Sequence, residues 1–283
     1  MLLKLSDDQK KTIETLHAEG KFPTEIQKIL GLKYFQPIYN HLHKTGLYVK
    51  RERSYKTKYE IDDTFFDVID TEEKAYVLGF IVADGNVGKE RQAIVISLNQ
   101  QDEDVLVKIA KTMKSTHPIK RFIKDKKYNH CLISLNSKKL KLAIEKLGVL
   151  PAKSLTMDST VFSHVPQELK RHFLRGYFDG DGSMTLGAKY SSGVKFLIQI
   201  IGTEDFLTET FQREFPSTNK LMKYKTCDMY CWKISSKQKV LDFLSYLYDD
   251  ATIYLDRKYN KFRQYMESQN ECVHVKPEEL LES

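Results

Sequence analysis

Cysteine, proline and glycine are all scarce in this 283-residue chain, which has 4 Cys, 7 Pro and 13 Gly. The four thiols (Cys131, Cys227, Cys231 and Cys272) follow no regular framework and read as reduced thiols of a cytoplasmic or nuclear compartment, with the close pair Cys227 and Cys231 as the one departure. So little Pro and Gly, beside 41% hydrophobic and 29% charged residues, excludes low-complexity disorder and leaves apolar residues enough for a sizeable core. No apolar run approaches the ~18 residues of a membrane span, and the start, MLLKLSDDQKK, is too short an apolar stretch for a signal peptide. Secretion and membrane insertion are therefore disfavoured. No HExxH, no Cys/His tetrad at finger spacing and no Walker loop is present, and the length suggests about two units of roughly 150 residues.

Neither sign of charge dominates. The 45 Lys and Arg against 38 Asp and Glu give a net +7, a mild hint of a polyanionic partner. Distribution sharpens it: the segment YVKRERSYKTKY carries Lys50, Arg51, Arg53, Lys56 and Lys58 against Glu52 alone. It reads either as a basic contact segment or as a solvated linker.

Before this segment, residues 1–50 read as three short helices. Ser6 is a plausible cap for the first, which carries Ile13, Leu16 and His17 and stops at Gly20. Thr24 can cap the second, with Ile26, Ile29 and Leu30, ended by Gly31; a third from about residue 35 to 44 repeats an apolar face at Ile38 and Leu42. Pro37 fits a first helical turn. The spacing of TEIQKILGLKYFQPIYNHLHKTG resembles that of helix-turn-helix proteins, which implies Gln36, Tyr39, Asn40 and His43 on or near a recognition helix. A small helical packing or dimerisation module is the alternative. His41 and His43, two apart on a helix, face different directions and read as surface or phosphate-contacting residues rather than a metal pair.

The remainder repeats itself. EEKAYVLGFIVADGNV and KRHFLRGYFDGDGSM align as VLGFIVADG over LRGYFDGDG, and Gly79 and Gly176 are 97 residues apart. Each is followed by an alternating run readable as a strand (93–98 and 196–201), an acid-led helix (QDEDVLVKIAKTM and TEDFLTETFQREF), two further strands and a helix. ISLNSKKLKLAIEKLG matches WKISSKQKVLDFLSYLY and sets Lys138 opposite Lys237.

Both motifs resemble the signature of LAGLIDADG homing endonucleases, and the resemblance covers about residues 70 to 268. It implies an α+β fold: two pseudo-symmetric αββαββα half-domains forming a DNA-binding saddle, preceded by a small all-α helix-turn-helix module. The expected boundaries are 1–50 for that module, 51–69 for a basic linker, 70–150 and 166–268 for the half-domains, 151–165 for the connection between them, and 269–283 for an acidic, frayed tail. Motif 1 departs from the family pattern where Val82 stands in place of an acid whose counterpart is Asp179, which weakens any role for Asp179.

Residues four apart on a helix share a face, so Gly79 with Ala83 and Gly176 with Gly180 give each motif helix a strip nearly free of side chains. If the helices pack along these strips, as in the family, Asp84 and Asp181 meet in one small site, with Gly85 and Gly182 expected in the left-handed conformation that ends a helix. Two carboxylates in last helical turns oppose the helix dipoles and each other, so a positive partner is needed. Mg2+ suits such sparse oxygen ligation, and Mn2+ can substitute. The resemblance implies Asp84 and Asp181 as catalytic and metal-holding residues, double-strand DNA cleavage with short 3′ overhangs, and, by analogy with a strand-end lysine, Lys138 and Lys237 as assisting residues. Asn99 and Gln100, with Gly202 near the matching place, are candidates for positioning water.

Strand ribbons that lie in a major groove read bases through outward polar side chains. The candidate readers are Asn86, Arg91, Asn99, Lys120, Arg121, Ser183, Lys189, Lys195, Lys223 and Lys225, with Lys153 and Ser154 in the connection touching the backbone. The resulting expectation is a monomeric, site-specific DNA endonuclease acting as a pseudo-dimer on a duplex target, located in the cytoplasm, a nucleoid or an organelle matrix. The absence of a starting Cys or Ser and of a His-Asn end disfavours an intein. The alternatives are a non-cleaving transcription regulator of the same fold, or an RNA intron maturase with RNA as partner.

Overall fold

Ser6 caps the first helix as its residue type predicts: its hydroxyl accepts from the Gln9 amide (3.2 Å) and the Gln9 side chain accepts in return from the Ser6 amide (3.0 Å). In the computed structural model, which describes residues 5–49, 58–89, 92–125, 127–151, 156–190, 193–216 and 220–274, the chain divides into two compact units, Met1–Lys56 and Thr57–Ser283. The first holds α1 (Asp7–Ala18), α2 (Pro23–Ile29) and α3 (Gln36–Lys44) around fully buried Ile13, Ile26, Ile38 and Leu42. The second helix starts two residues earlier than a Thr24 cap predicts, with Phe22 at the cap position. Pro23, lacking an N–H, takes the first turn, and the Glu25 carboxylate accepts from the Phe22 amide at 2.7 Å. Gly31, at φ +62°, turns the chain towards α3.

The second unit runs twice through the same order. The first pass is α4 (Glu72–Asp84), β1 (Gly85–Val87), β2 (Ala93–Asn99), α5 (Glu103–Thr112), β3 (Lys120–Lys124), β4 (Tyr128–Asn136) and α6 (Lys138–Lys146). After the short α7 (Thr160–Ser163) come α8 (Lys170–Asp181), β5 (Gly182–Tyr190), β6 (Gly193–Gly202), α9 (Glu204–Leu207) with a following π turn, β7 (Met222–Lys223), β8 (Tyr230–Ile234), α10 (Lys237–Tyr248) and α11 (Asp256–His274). Both sheets are antiparallel, with orders β1-β2-β4-β3 and β5-β6-β8-β7. This is the expected αββαββα repeat. Among the described residues no helix is long and apolar enough to cross a membrane.

The described parts of two expected linkers, 51–69 and 151–165, contribute to the core. Residues 58–69 belong to the second unit: Phe65, Phe66 and Ile69 are buried, and the Glu60 amide donates to Thr116 Oγ1 at 2.7 Å. In the connection between the halves, Val161, Phe162 and Val165 are buried too. One apolar cluster runs through both halves, so they share a core. Charged neighbours dominate the composition of these segments and mask their apolar spacing.

Strand register decides which side chains face away from the helices. Residues paired across antiparallel strands share a face. Asn86–Val95–Ser134 and Ser97–Leu132–Lys120 lie on the outer face of the first sheet, while Ile96–Ile133 and Leu98–Cys131–Arg121 lie on the helix side. In the second sheet Ser183–Gln199–Lys233 face outward and Gly182–Ile200–Trp232 inward.

Candidate functional site

The motif helices α4 and α8 meet along their bare strips. A Cβ at Gly79 would overlap the carbonyl oxygen of Phe173, and one at Gly176 would overlap that of Tyr76, so only hydrogen at these positions allows the two backbones to touch. At the lower end a Cβ at Gly180 would strike Ala83 and come within 3.1 Å of Asp84 Oδ2, so the last turn of α8 lies directly beside the Asp84 carboxylate. Asp84 and Asp181 consequently line one cavity of about 470 Å3, together with Asn86, Tyr177, Gly202 and Thr203. A second trough of about 660 Å3 leads from Asp84 over the outer face of the first sheet past Asn86, Lys89, Val95 and Ser97.

Gly85 and Gly182 end the helices for a different reason from the one expected. Their φ values are −73° and −81°, ordinary extended backbone. Space is what excludes a side chain: a Cβ would lie 2.5 Å from the Ile81 carbonyl oxygen at Gly85, and at Gly182 it would overlap the edge of the Phe178 ring and lie 2.5 Å from the Phe178 carbonyl oxygen.

Under the second motif lies a buried polar knot. The Asp179 carboxylate accepts from the hydroxyls of Tyr76 (2.8 Å) and Tyr248 (2.6 Å) and from the Leu255 amide (2.8 Å). Burial pushes this carboxyl above its ordinary range, and the nearby Lys258 ammonium pulls it back. Lys258 Nζ donates to the carbonyls of Phe178, Asp179 and Gly182, around the end of α8. Burial lowers the Lys258 pKa to about 8, against the attraction of Asp179 and Asp84. Asp179 is therefore a tie between helices and not a ligand facing the cavity, and a cation already sits at the end of one helix dipole. Nearby, fully buried Arg175 donates to Glu72 Oε1 (2.6 Å), the carbonyls of Leu247 and Ile253 (both 2.9 Å) and His172 Nδ1 (2.9 Å). Burial lowers the His172 pKa to about 4, so it accepts as a neutral ring.

Several expected residues lie away from the acids. Lys138 is exposed on α6 beside a separate cavity with Phe66, Asp67 and Lys139. Lys237 Nζ sits 5.7 Å from the centre of the Phe196 ring, four residues up β6 from Ile200, the partner of Gly182. The matching of these lysines reflects equivalent helix starts rather than proximity to the site. Arg121 points to the helix side, held by Glu103 through two contacts of 2.6 Å. Lys223 is paired with Asp228 (2.7 Å) over the Tyr230 ring, and Asn99 spends its amide oxygen on the Gln101 amide (3.1 Å). Asn86, Lys120 and Ser183 are exposed on outer faces; Lys195 and Lys225 are exposed. Lys189 is in β5, with its side chain outside those described, and Lys50, Arg51, Arg53, Arg91, Lys153 and Ser154 lie outside the described residues. In the first unit Gln36, Asn40 and His43 share one exposed face of α3: Gln36 Nε2 donates to Asn40 Oδ1 (2.9 Å), and His43 packs against the Tyr39 and Tyr48 rings. His41 turns away to Glu14 at 2.8 Å.

Sequence reasoning missed Tyr177 and Lys258. The signal for Lys258 was its place on the apolar stripe of α11, three residues after Leu255 and four before Phe262.

Among the described residues no group of three or more His, Cys, Asp or Glu could hold a metal. A cation bound between Asp84 and Asp181 would have two hard carboxylate donors from the chain and room for water and ligand oxygens, a donor set that fits Mg2+.

Residues 168–248 match the model of a LAGLIDADG-like domain. A DNA polymerase of Acanthamoeba polyphaga mimivirus is 32% identical over 125 residues, which cover 40% of this chain and 7% of that protein. The chain thus spans a small fraction of that relative's length. Among solved structures, meganuclease I-SmaMI bound to uncleaveable DNA is similar with a TM-score of 0.49 and 13% identity, over 70% of this chain and 90% of that one. The homing endonuclease I-GzeII in complex with its DNA target gives 0.48 and 15%, over 72% and 92%.

Proposed function

We propose that this chain, LAGLIDADG-like over residues 168–248, is a site-specific endonuclease that makes a divalent-metal-dependent double-strand break in DNA. The observation that supports the reading is the shared cavity of Asp84 and Asp181, at the joint between two outward-facing sheet surfaces. Two acids at one seam, with no third ligand among the described residues, suit a cation that shares its coordination with a phosphodiester. When bound, Mg2+ or Mn2+ supplies an acidified water and stabilises charge on the attacking and leaving oxygens. The chain itself contributes the two carboxylates that hold the cation and backbone crowding that fixes them. Lys258 compensates the end of α8 from below and leaves the cavity side of the acids to substrate. The outer faces, through Asn86, Ser97, Lys120, Ser183 and Lys195, contact the duplex grooves. The three-helix unit acts as a helix-turn-helix that adds DNA contacts through Gln36, Asn40 and His43. One chain with two unequal halves acts as a monomer on a site that need not be palindromic.

The test is incubation of the purified chain with a supercoiled plasmid library in Mg2+ or Mn2+, followed by sequencing of the ends. Discrete double-strand breaks at a recurring sequence are expected. Selective binding without cutting in either cation overturns the nuclease reading in favour of a regulator, and selective binding of an intron transcript overturns it in favour of a maturase. Removal of residues 1–50 is expected to weaken DNA binding and flatten its dependence on salt; an unchanged slope would reduce the first unit to a packing module.

A further inference from the structure

The two strand ribbons that leave the acid seam differ in length. In the first half Gly85, directly after Asp84, pairs with Ile96, and the ten residues between them, 86–95, are paired as far as Val87–Ile94. In the second half Gly182, directly after Asp181, pairs with Ile200, and the seventeen residues 183–199 carry the pairing out to Tyr190–Gly193, seven residues along β6. At about 3.3 Å per residue the paired ribbon extends roughly 7 Å from the seam in one half and roughly 23 Å in the other. Chain length alone enforces a difference: ten residues folded back on themselves reach at most about 17 Å, and seventeen about 28 Å.

The long ribbon is also braced. Its register shifts between Thr185 and Ala188, and Gly187 there takes φ +63°, a conformation open to glycine without strain. Tyr265 of α11 packs at this point: a Cβ on Gly187 would stand 3.1 Å from its ring, and the ring centre lies 5.6 Å from that of Phe196. One turn earlier on α11, Lys261 donates to the Met184 carbonyl at 3.2 Å. α11 lies outside the repeated order of elements, so this support is an addition to the second half. Past the brace, exposed Lys195 stands on the outer row of β6, five residues from Ile200.

We infer that the target is read unequally: the DNA arm under the second sheet is longer by about three to five base pairs than the arm under the first, and the cut lies off the centre of the sequence the two sheets recognise. A two-stranded ribbon fits the major groove, and the number of base pairs it follows scales with its length, at about 3.4 Å each. The position of the cut rests on the nuclease reading; the difference between the arms rests on the ribbons.

The test presents the full chain with a randomised duplex library in Mg2+ and sequences the bound and the cut sites. Counted as unbroken runs of selected base pairs on either side of the cut, the arms are expected to differ by about three to five. Replacing residues 189–194 by Asn-Gly identifies the longer arm. The new turn closes on the Ala188–Lys195 pair, two residues down the ribbon from the Tyr190–Gly193 pair and therefore in the same hydrogen-bonding alternation, and it retains Gly187 and Phe196 at α11. This variant is expected to lose about two base pairs of selection at the far end of the longer arm, matching the roughly 7 Å removed, with the cut and the shorter arm unchanged. Arms equal to within about one base pair in the parent overturn the inference, as does a variant that loses selection at the other end, at both ends or at neither. Recurrent cutting with equal arms leaves the nuclease reading standing without it. Selective binding with no cutting, joined to a loss at one end in the variant, removes the nuclease reading and leaves the longer arm standing. A chain that selects no sequence overturns both.

Discussion

Gly176 lies against the carbonyl oxygen of Tyr76 so closely that no carbon atom could be added to it. The same holds for Gly79 and the Phe173 carbonyl, and this pair of contacts sets the distance between α4 and α8 along their whole crossing. Gly176→Ala is expected to push the helices apart and cost about 1–3 kcal/mol or more, as overpacking of a tight core does. Thermal unfolding of parent and variant measures it; an unchanged melting temperature would mean that the helices slide past each other without loss. Because both acids hang from this seam, cleavage in Gly176→Ala should fall even at temperatures where it remains folded.

Asp84→Asn and Asp181→Asn are expected to lower cleavage by about 100-fold or more, on the order of losing a principal electrostatic stabiliser of a transition state. DNA affinity should hold or rise, because each change removes a negative charge facing phosphate. Gel-shift and single-turnover cleavage assays on one target separate the two effects. Near-parental cleavage in either variant would take that residue out of the mechanism.

The repeated order of elements was legible from local rules, and the meeting of Asp84 with Asp181 from those rules together with the family resemblance, which implied the packing of the two motif helices. Helical spacing brings Gly79 and Ala83 to one face, and so also Gly176 and Gly180, and an Asp-Gly pair ends a helix. What the sequence hid depends on long-range register. Arg121 and Lys120 are neighbours in a basic run, yet only pairing with Cys131 and Leu132 sends one to Glu103 and the other outward. Lys138 and Lys237 align with each other, yet equivalence between halves says nothing of nearness to the seam. Lys258 is ordinary in composition, and its burial follows from the docking of α11 beneath a helix end 76 residues earlier in the chain.

His172 offers a test of the buried knot by acid. Its folded pKa of about 4 lies below the ordinary 6.5, so the unfolded chain takes up a proton that the folded one refuses. Stability therefore falls as pH drops from 6.5 towards 4, the sign expected when the unfolded state binds more protons. Glu72, whose pKa is lowered with help from the Thr252 amide and Arg175 despite its burial, adds a loss in the same direction at lower pH. His172→Gln, which keeps an acceptor for Arg175, is expected to flatten the slope between pH 6.5 and 4 in urea titrations; an unaltered slope would assign the acid sensitivity to other groups.

Lys258 carries the opposite kind of risk. Its buried ammonium donates to three carbonyls around the end of α8. Lys258→Met preserves much of the side-chain volume but removes three charge-assisted hydrogen bonds to carbonyls and the cation that attracts Asp179, so a loss of about 1.5–3 kcal/mol or more is expected, the scale of a hydrogen bond to a charged group. The pH dependence identifies the cause. With a folded pKa of about 8 against an ordinary 10.5, the parent's unfolded state holds the proton longer than the folded state does, so the parent gains stability relative to Lys258→Met as pH rises from about 8 to 10.5. Denaturant titrations of both proteins across that window measure the difference. A constant gap would show that Lys258 stays charged throughout, and a gap near zero at every pH would show that packing of its methylene stem, rather than its charge, is what α8 requires.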